Sequence, residues 1–379
     1  SKKDRYLDLL KKLAINFWFV GSQYLQSTIL LLVSIYAAPE FFNIINAEFS
    51  VAAVFIPFFL AGLSINYVTK DIQNILSHIR FTNIVFTGLF LVGYLFNVLN
   101  IVVITYYLIL SDLSKFLLLH SERKVQATII KYWLWPIIMV LFTLIGGVQQ
   151  GFYWSLYFST VVLFVYTTIK SNGSKISPDF NAYSLILSIV VLPIALVKRD
   201  LISWTDQELA KSVGVLIIVS KLFVGSCSQL VQYYLKDIRL AIDSPDSALF
   251  SVLEIIPRII TATMMILLGL VYSNVVPFEY ALVIIAGSTS LSIGFNGTIL
   301  ALKDRGNWEL SLLIICFLIT GGCYMYSSNV LLSWLLFETV YALGKYVLAC
   351  NVLSNWRSRV NETLWLIFYS LLFYVWAKY

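Results

Sequence analysis

The sequence predicts an all-α polytopic membrane protein with about twelve transmembrane helices and an apolar C-terminal segment. Of its 379 residues, 59% are hydrophobic and only 12% are charged, whereas about 25% of the residues of an ordinary soluble domain carry a charge. A spanning helix with its turn takes roughly 20 to 30 residues, so the chain has room for about a dozen of them. We therefore predict that almost the whole chain lies in the bilayer.

Six spans are predicted in the first half of the chain. The apolar stretch that contains the third and fourth spans is too long for one helix, and Asn97 and Asn100 favour a turn within it. The charged segment 1–12 has no signal-peptide cleavage motif, so we expect it to stay as a cytoplasmic tail. A window of roughly 19 residues places the six spans at 14–38, 43–66, 81–98, 100–119, 126–147 and 150–170.

Six further spans follow a polar break at 170–181. After them, the apolar and aromatic run 363–379 has about 17 residues, which is the lower limit for a span. It is either a thirteenth helix or a helix at the membrane interface. The six spans are placed at 183–203, 208–235, 247–274, 277–302, 308–326 and 329–353.

Lys and Arg residues concentrate in alternate connections, as they do on the cytoplasmic side of membrane proteins. Eighteen of the 26 lie there, whereas the opposite connections APEFF (38–42) and GGVQQG (146–151) contain none. This alternation predicts a cytoplasmic N-terminus, and it explains the net charge of +6 without a nucleic-acid partner. The eighteen are Lys2, Lys3, Arg5, Lys11, Lys12, Lys70, Arg80, Arg123, Lys124, Lys131, Lys170, Lys175, Lys236, Arg239, Lys303, Arg305, Arg357 and Arg359.

The two halves correspond to each other. The charged ends of the fourth span (117–124) and the tenth (299–306) are separated by roughly 183 positions, and the ends of the sixth and twelfth spans keep that offset. Because six is even, both halves start on the same side, which makes the repeats parallel. We predict two parallel six-helix bundles, 1–172 and 173–354, around a central cavity, and a hydrophobic tail, 355–379. The alternative is that any twelve-span chain divides into two sixes.

Residues for metal or acid–base chemistry are scarce. His78 and His120 both fall in predicted polar connections, where we expect solvated side chains. The four Cys lie in apolar runs, where free Cys behaves as a small hydrophobic residue. No nucleotide-binding or serine-hydrolase motif occurs. The sequence therefore predicts no metal, no cofactor and no enzymatic activity.

Two segments of the chain resemble a known family. They are LLKKLAINFWFVGSQYLQSTILLLV (9–33) and SLILSIVVLPIALVKRD (184–200), in which charged residues end the seventh span. In these segments and in segment order over residues 1–353, the chain resembles the multidrug/oligosaccharidyl-lipid/polysaccharide exporters, in particular the bacterial O-antigen or capsule flippases. The resemblance implies alternating-access transport of undecaprenyl-pyrophosphate-linked oligosaccharide across the inner membrane. It also implies membrane lipids and polysaccharide-assembly proteins as partners.

Several cations fall inside the predicted spans, where an ionised side chain costs at least about 2.5–3.5 kcal/mol. Lys221 and Arg258 lie near the membrane midplane, and Lys345 lies closer to the cytoplasm. Lys198 and Arg199 lie at the outer mouth. Because ammonium and guanidinium groups bind phosphate oxygens strongly, we expect these five residues to contact an anionic substrate group.

Structural roles stay open for the same cations. Glu254 precedes Arg258 by four positions and Glu338 precedes Lys345 by seven, so each pair can neutralise itself on one helix face. The two cations at the outer mouth can instead extend their charged ends to the interface. Asp112, Glu254 and Glu338 are the candidates for a coupling or ion-pairing carboxylate.

Polar stripes on two predicted spans add candidate substrate contacts. Gln229 lies on the same face of the eighth span as Lys221, and Gln23 and Gln26 lie along one face of the first. Packing between helices through polar side chains is the alternative for both stripes.

Three other function classes compete with a flippase. A cation-coupled drug exporter of the same superfamily would depend on membrane carboxylates, and it stays open. A membrane glycosyltransferase or O-antigen polymerase needs a large outer loop, whereas the largest predicted outer connection is only SWTDQELAK (203–211). A sensory receptor or channel does not predict two six-helix halves.

Overall fold

The protein is an α-helical membrane protein. Within the described ranges of a computed structural model, no strand occurs, and six helical segments are long and apolar enough to cross a membrane. The structure describes residues 18, 21–22, 24–66, 71–121, 123–180, 182–233, 267–272, 274–281, 283–284, 300, 303 and 305–352, without the side chains of 61–66, 182–184, 221 and 223–233.

Internal packing divides the chain into two units, Ser1–Ser184 and Leu185–Tyr379. The lobes predicted at 1–172 and 173–354 stay predictions, as do the twelve-helix count and the parallel bundles. The predicted tail, 355–379, lies outside the described residues.

Five helical segments are described in the first unit, with α4 at their centre. Helix α4 packs against α2, α3 and the later part of α5, and its side chains Tyr107, Leu110 and Leu113 are fully buried. The segments are α1 (Tyr24–Tyr36), α2 (Pro39–Asn66), α3 (Ile72–Leu95), α4 (Leu99–His120) and α5 (Lys124–Ser171).

The predicted turn between the third and fourth spans is confirmed. Helix α3 ends at Leu95, and Asn97 has a φ of 57°. Asn adopts this left-handed backbone conformation more readily than most residues. The chain can therefore stop one span and begin the next within three residues.

Helix α3 begins nine residues earlier than predicted, and the prediction of a solvated His78 is wrong. His78 is fully buried in α3. Its Nε2 lies 2.7 Å from the Phe59 carbonyl oxygen, and its Nδ1 accepts a hydrogen bond of 2.9 Å from the backbone N–H of Asp179. Arg80, also predicted to lie in a loop, is in α3 and donates to the carbonyl of Ser174. Residues from distant segments therefore form hydrogen bonds with the side chains of His78 and Arg80.

Helix α5 is a helical hairpin, as the sequence predicted from two consecutive spans. A straight helix of its 48 residues would be about 72 Å long, far more than a bilayer requires. Gly147 interrupts it with non-helical backbone angles (φ 77°, ψ 174°). A Cβ atom built on Gly151 would lie 2.7 Å from backbone atoms of Thr143. The arm after Gly147 therefore packs against the arm before it.

Four helices are described in the later part of the chain. Buried side chains of α6, α7 and α9 form one apolar core that includes Val197, Ile217 and Trp334, and α6, α8 and α9 share a second core. The helices are α6 (Ala182–Asp200), α7 (Gln207–Tyr233), α8 (Gly306–Ser327) and α9 (Val330–Val352). The ninth and tenth predicted spans lie mostly outside the described residues.

Candidate functional site

A buried cluster of two lysines and one aspartate lies in the first unit. We call Asp112, Lys115 and Lys131 the Lys–Asp–Lys cluster. The Nζ of Lys115 lies 3.0 Å from Oδ1 of Asp112, and the Nζ of Lys131 lies 2.8 Å from Oδ2. Lys131 also donates a hydrogen bond of 3.0 Å to Oγ of Ser111. One carboxylate is thus shared by two ammonium groups.

Local helix geometry brings the three side chains together. Asp112 and Lys115 are three positions apart on α4, which places them on one face. Lys131 lies in a π-helical turn, Ile129–Trp133, near the start of α5. Such wide turns are rare and often occur at functional sites. The chain reverses direction in the short connection after α4, and the start of α5 packs against α4. The π-helical turn therefore lies beside Asp112.

Lys131, which the charge pattern placed among the cytoplasmic cations, is buried. Its side chain is only 9% exposed, that of Lys115 is 10% exposed and that of Asp112 is 17% exposed. Asp112 lies eight positions before the end of α4, about 12 Å along the helix axis. Buried charges require partners, and here one anion serves two cations. The cluster places two ammonium groups and one carboxylate inside the helical unit.

Polar side chains surround the cluster. The amide of Gln26 donates a hydrogen bond of 2.8 Å to the carbonyl oxygen of Lys131 and lies 3.5 Å from the hydroxyl of Tyr107. The contact satisfies a backbone carbonyl of the π-helical turn. Among the described residues, the buried Oγ of Ser114 has no hydrogen-bond partner. Lys131 has three N–H donors, and its described contacts with Asp112 and Ser111 use two. One ammonium donor of Lys131 is therefore not used by these two contacts.

A second polar site, around Glu48 of α2, was missed at the sequence level. The hydroxyl of Tyr153 donates a hydrogen bond of 2.7 Å to Oε2 of Glu48, and the hydroxyl of Tyr157 donates one of 2.8 Å to Oδ1 of Asn100. The signal was present, because Glu48 is an acidic residue inside the predicted span 43–66. The carboxylates predicted from the sequence were Asp112, Glu254 and Glu338, and Glu48 was not among them.

The second unit holds two buried carboxylates near Tyr341. Glu338 is 1% exposed and accepts a hydrogen bond of 2.9 Å from the indole N–H of Trp334. Glu309 is 3% exposed and accepts a hydrogen bond from the hydroxyl of Tyr341. Lys345 places its Nζ 4.4 Å from the centre of the Tyr341 ring. Two predicted site residues, Glu338 and Lys345, therefore lie along one helix, α9, around Tyr341.

The remaining predicted site residues do not form a cluster within the described residues. Lys198 and Arg199 form the last turn of α6, where Arg199 is exposed and Lys198 is half-buried. The other five lie outside the described residues or have side chains outside them, so their predicted roles stay predictions. These five are Lys221, Gln229, Gln23, Arg258 and Glu254.

Comparisons with known proteins give no match: no protein-family model, no curated protein and no solved structure resembles the chain. Within the described ranges, no group of three or more His, Cys, Asp or Glu side chains could hold a metal ion. The function is therefore inferred from the chain's own residues.

Proposed function

We propose that the protein is a transporter that moves undecaprenyl-pyrophosphate-linked oligosaccharide across the bacterial inner membrane by alternating access. The observation that carries this proposal is the pairing of two buried lysines with one aspartate inside a unit of apolar helices. A polar residue in a membrane span is costly, and it usually serves transport or partner binding. The ammonium groups of such a cluster can bind the oxygens of a pyrophosphate group.

The chemistry of the cluster suits a phosphate group. Hydrogen bonds from an ammonium group to phosphate oxygens are short and roughly twice as strong as neutral ones. Asp112 fixes both lysines while the site is empty, which lowers the cost of two neighbouring cations. A bound phosphate would then contact Lys131 and, with a modest shift, Lys115. Under this proposal the protein binds and moves its substrate without chemical change, so it is not an enzyme.

The other parts of the substrate follow from its amphipathic nature. The polyprenyl chain would stay in the lipid, because transfer of its apolar surface to water is unfavourable. The oligosaccharide would cross in a polar cavity between two lobes that open in turn to each side. In this proposal, Lys221 and Arg258 would supply further positive charge, and polysaccharide-assembly proteins would deliver and receive the substrate.

A second candidate is a cation-coupled drug exporter of the same superfamily. The observation that favours it is the presence of four acidic residues at least half-buried within the described spans: Glu48, Asp112, Glu309 and Glu338. Carboxylates in the membrane can bind protons, metal cations or cationic drugs. The two candidates therefore differ in the charge of their substrates.

Transport in proteoliposomes separates the two candidates. Purified protein is reconstituted, and translocation of a fluorescent polyprenyl-pyrophosphate oligosaccharide is measured beside efflux of a lipophilic organic cation. The flippase proposal predicts movement of the pyrophosphate-linked glycan and no efflux of the cation. Efflux of the cation, with no movement of the glycan, would contradict it and support the exporter. Protein-free vesicles give the background for both measurements.

A further inference from the structure

Glu48 is an acidic side chain held within a membrane span by neutral donors. It lies on α2, nine positions after Pro39, about 13 Å along the helix axis. The hydroxyl of Tyr153 donates a hydrogen bond of 2.7 Å to its Oε2. Asn100, at the start of α4, also faces the carboxyl group, and its Oδ1 accepts the hydroxyl proton of Tyr157. Three helical segments thus converge on one carboxyl group.

The surroundings of Glu48 are apolar and aromatic. The ring of Phe41 lies edge-on to Tyr153 at 5.9 Å and to Phe152 at 6.3 Å. Tyr153 and Tyr157 are the titratable groups of the described residues that face the carboxyl group. No Lys or Arg within the described ranges forms an ion pair with it. On the packed helices, Lys115 lies 15 positions after Asn100 on α4, and Lys131 lies 22 positions before Tyr153 on α5.

Two opposing effects act on this carboxyl group. Transfer of an ionised carboxylate to an apolar environment without a cation is costly, which favours the neutral acid. The hydrogen bond from Tyr153 stabilises the ionised form, and the nearby side chain of Asn100 acts in the same direction. The protonation state of Glu48 therefore depends on the balance between these two effects.

We propose that Glu48 is a reversible proton-binding site of this protein. The proton binds to a carboxylate oxygen of Glu48, and its release to water restores the anion that Tyr153 and Asn100 stabilise. The inference goes beyond the proposed function, because it concerns proton binding by the protein without substrate. A test of proton binding by Glu48 therefore does not depend on the flippase proposal.

A proton fits the site better than a metal cation does. Hard metal cations require several oxygen ligands with available lone pairs. Here the hydroxyls of Tyr153 and Tyr157 point their protons at Glu48 and Asn100, so they act as donors. The oxygens that remain available to a metal cation belong mainly to the Glu48 carboxylate. They are too few to replace the hydration shell of the cation.

Modification by dicyclohexylcarbodiimide tests the proposal, because this reagent reacts with protonated carboxyl groups in apolar surroundings. The purified full-length protein is treated over a series of pH values, and modification of each acidic residue is measured by mass spectrometry. We expect Glu48 to be modified at low pH and protected as the pH rises, following a single titration. Glu40, an exposed residue on the same helix, is the internal control and should remain unmodified.

The variant Tyr153→Phe gives a second readout that depends on the site geometry. It removes the hydroxyl donor and keeps the ring, so the ionised form of Glu48 loses stability and modification should persist to higher pH. Glu48→Gln should abolish the signal. Absence of modification at Glu48 at every pH, or modification equal to that of Glu40, would overturn the proposal. Protection by sodium ions at constant pH would overturn it in favour of a metal-cation site.

Discussion

The backbone N–H of Asp179 donates a hydrogen bond of 2.9 Å to Nδ1 of His78, a residue 101 positions earlier in the chain. The other ring nitrogen, Nε2, lies 2.7 Å from the carbonyl oxygen of Phe59 and can donate to it. The imidazole therefore joins α2, α3 and the segment that follows α5.

His78→Phe should weaken this attachment while keeping an aromatic ring in place. It leaves the Phe59 carbonyl and the Asp179 N–H without their partner, at a cost of about 1–3 kcal/mol for each buried group. We expect a lower melting temperature and faster tryptic cleavage after the exposed Lys175. His120→Phe, at the exposed end of α4, is the matched control. Cleavage and melting equal to those of the wild type would show that the hydrogen bonds do not hold the segment.

Gly147→Ala should destabilise the hairpin of α5. The backbone of Gly147, with φ 77° and ψ 174°, lies in a region that is open almost only to glycine, and another residue there costs about 1–3 kcal/mol. Gly321→Ala is the control, because Gly321 lies within α8 and a Cβ atom there meets nothing within 4 Å. Thermal unfolding in detergent should show a loss for Gly147→Ala alone. Equal melting temperatures for the two variants would contradict the assigned turn.

The predicted orientation can be tested with single cysteines in a background without native cysteines. Lys175→Cys lies in the connection expected to face the cytoplasm, and Gln149→Cys lies next to the hairpin turn expected to face outside. Both positions are exposed. A membrane-impermeant maleimide added to intact cells should label only the cysteine at 149, and both should react after lysis. Labelling of the cysteine at 175 in intact cells would reverse the orientation and remove the basis of the parallel repeat.

Asp112 should contribute strongly to stability because it separates two buried cations. Asp112→Asn alone leaves Lys115 and Lys131 facing each other, and breaking a buried ion pair in this way typically costs about 3–5 kcal/mol. The double variant Asp112→Asn with Lys131→Gln removes one charge of each sign, so it should recover part of that loss. Unfolding of the wild type, the single variants Asp112→Asn and Lys131→Gln, and the double variant gives the coupling energy. Additive effects would show that Asp112 and Lys131 do not interact.

The spans that the structure describes could be predicted from the sequence because bilayer thickness sets helix length and apolar content. The turn at Asn97 could also be predicted, because the preference of Asn for turns is a property of the local sequence. The burial of His78 could not be predicted, because its partner Asp179 is distant in sequence. Lys131 was placed with the loop cations because a π-helical turn leaves no pattern in the sequence. Only the folded chain shows that this turn faces Asp112.

The central claim is that the ammonium groups of the Lys–Asp–Lys cluster bind the pyrophosphate group of the substrate. Lys131→Gln tests it, because the Asp112–Lys115 ion pair remains and the protein should stay folded. Lys211→Gln is the matched control: Lys211 pairs with Glu208 at 3.0 Å with the same three-residue spacing as Lys115 and Asp112, but Glu208 is 68% exposed.

The most direct measurement is binding of a polyprenyl pyrophosphate to the purified wild type and to these two variants, with the melting temperature of each recorded. Loss of one charge-assisted hydrogen bond, about 1.5–3 kcal/mol, predicts roughly tenfold to hundredfold weaker binding by Lys131→Gln. Lys211→Gln should bind as the wild type does. Unchanged binding by a folded Lys131→Gln protein would contradict the account.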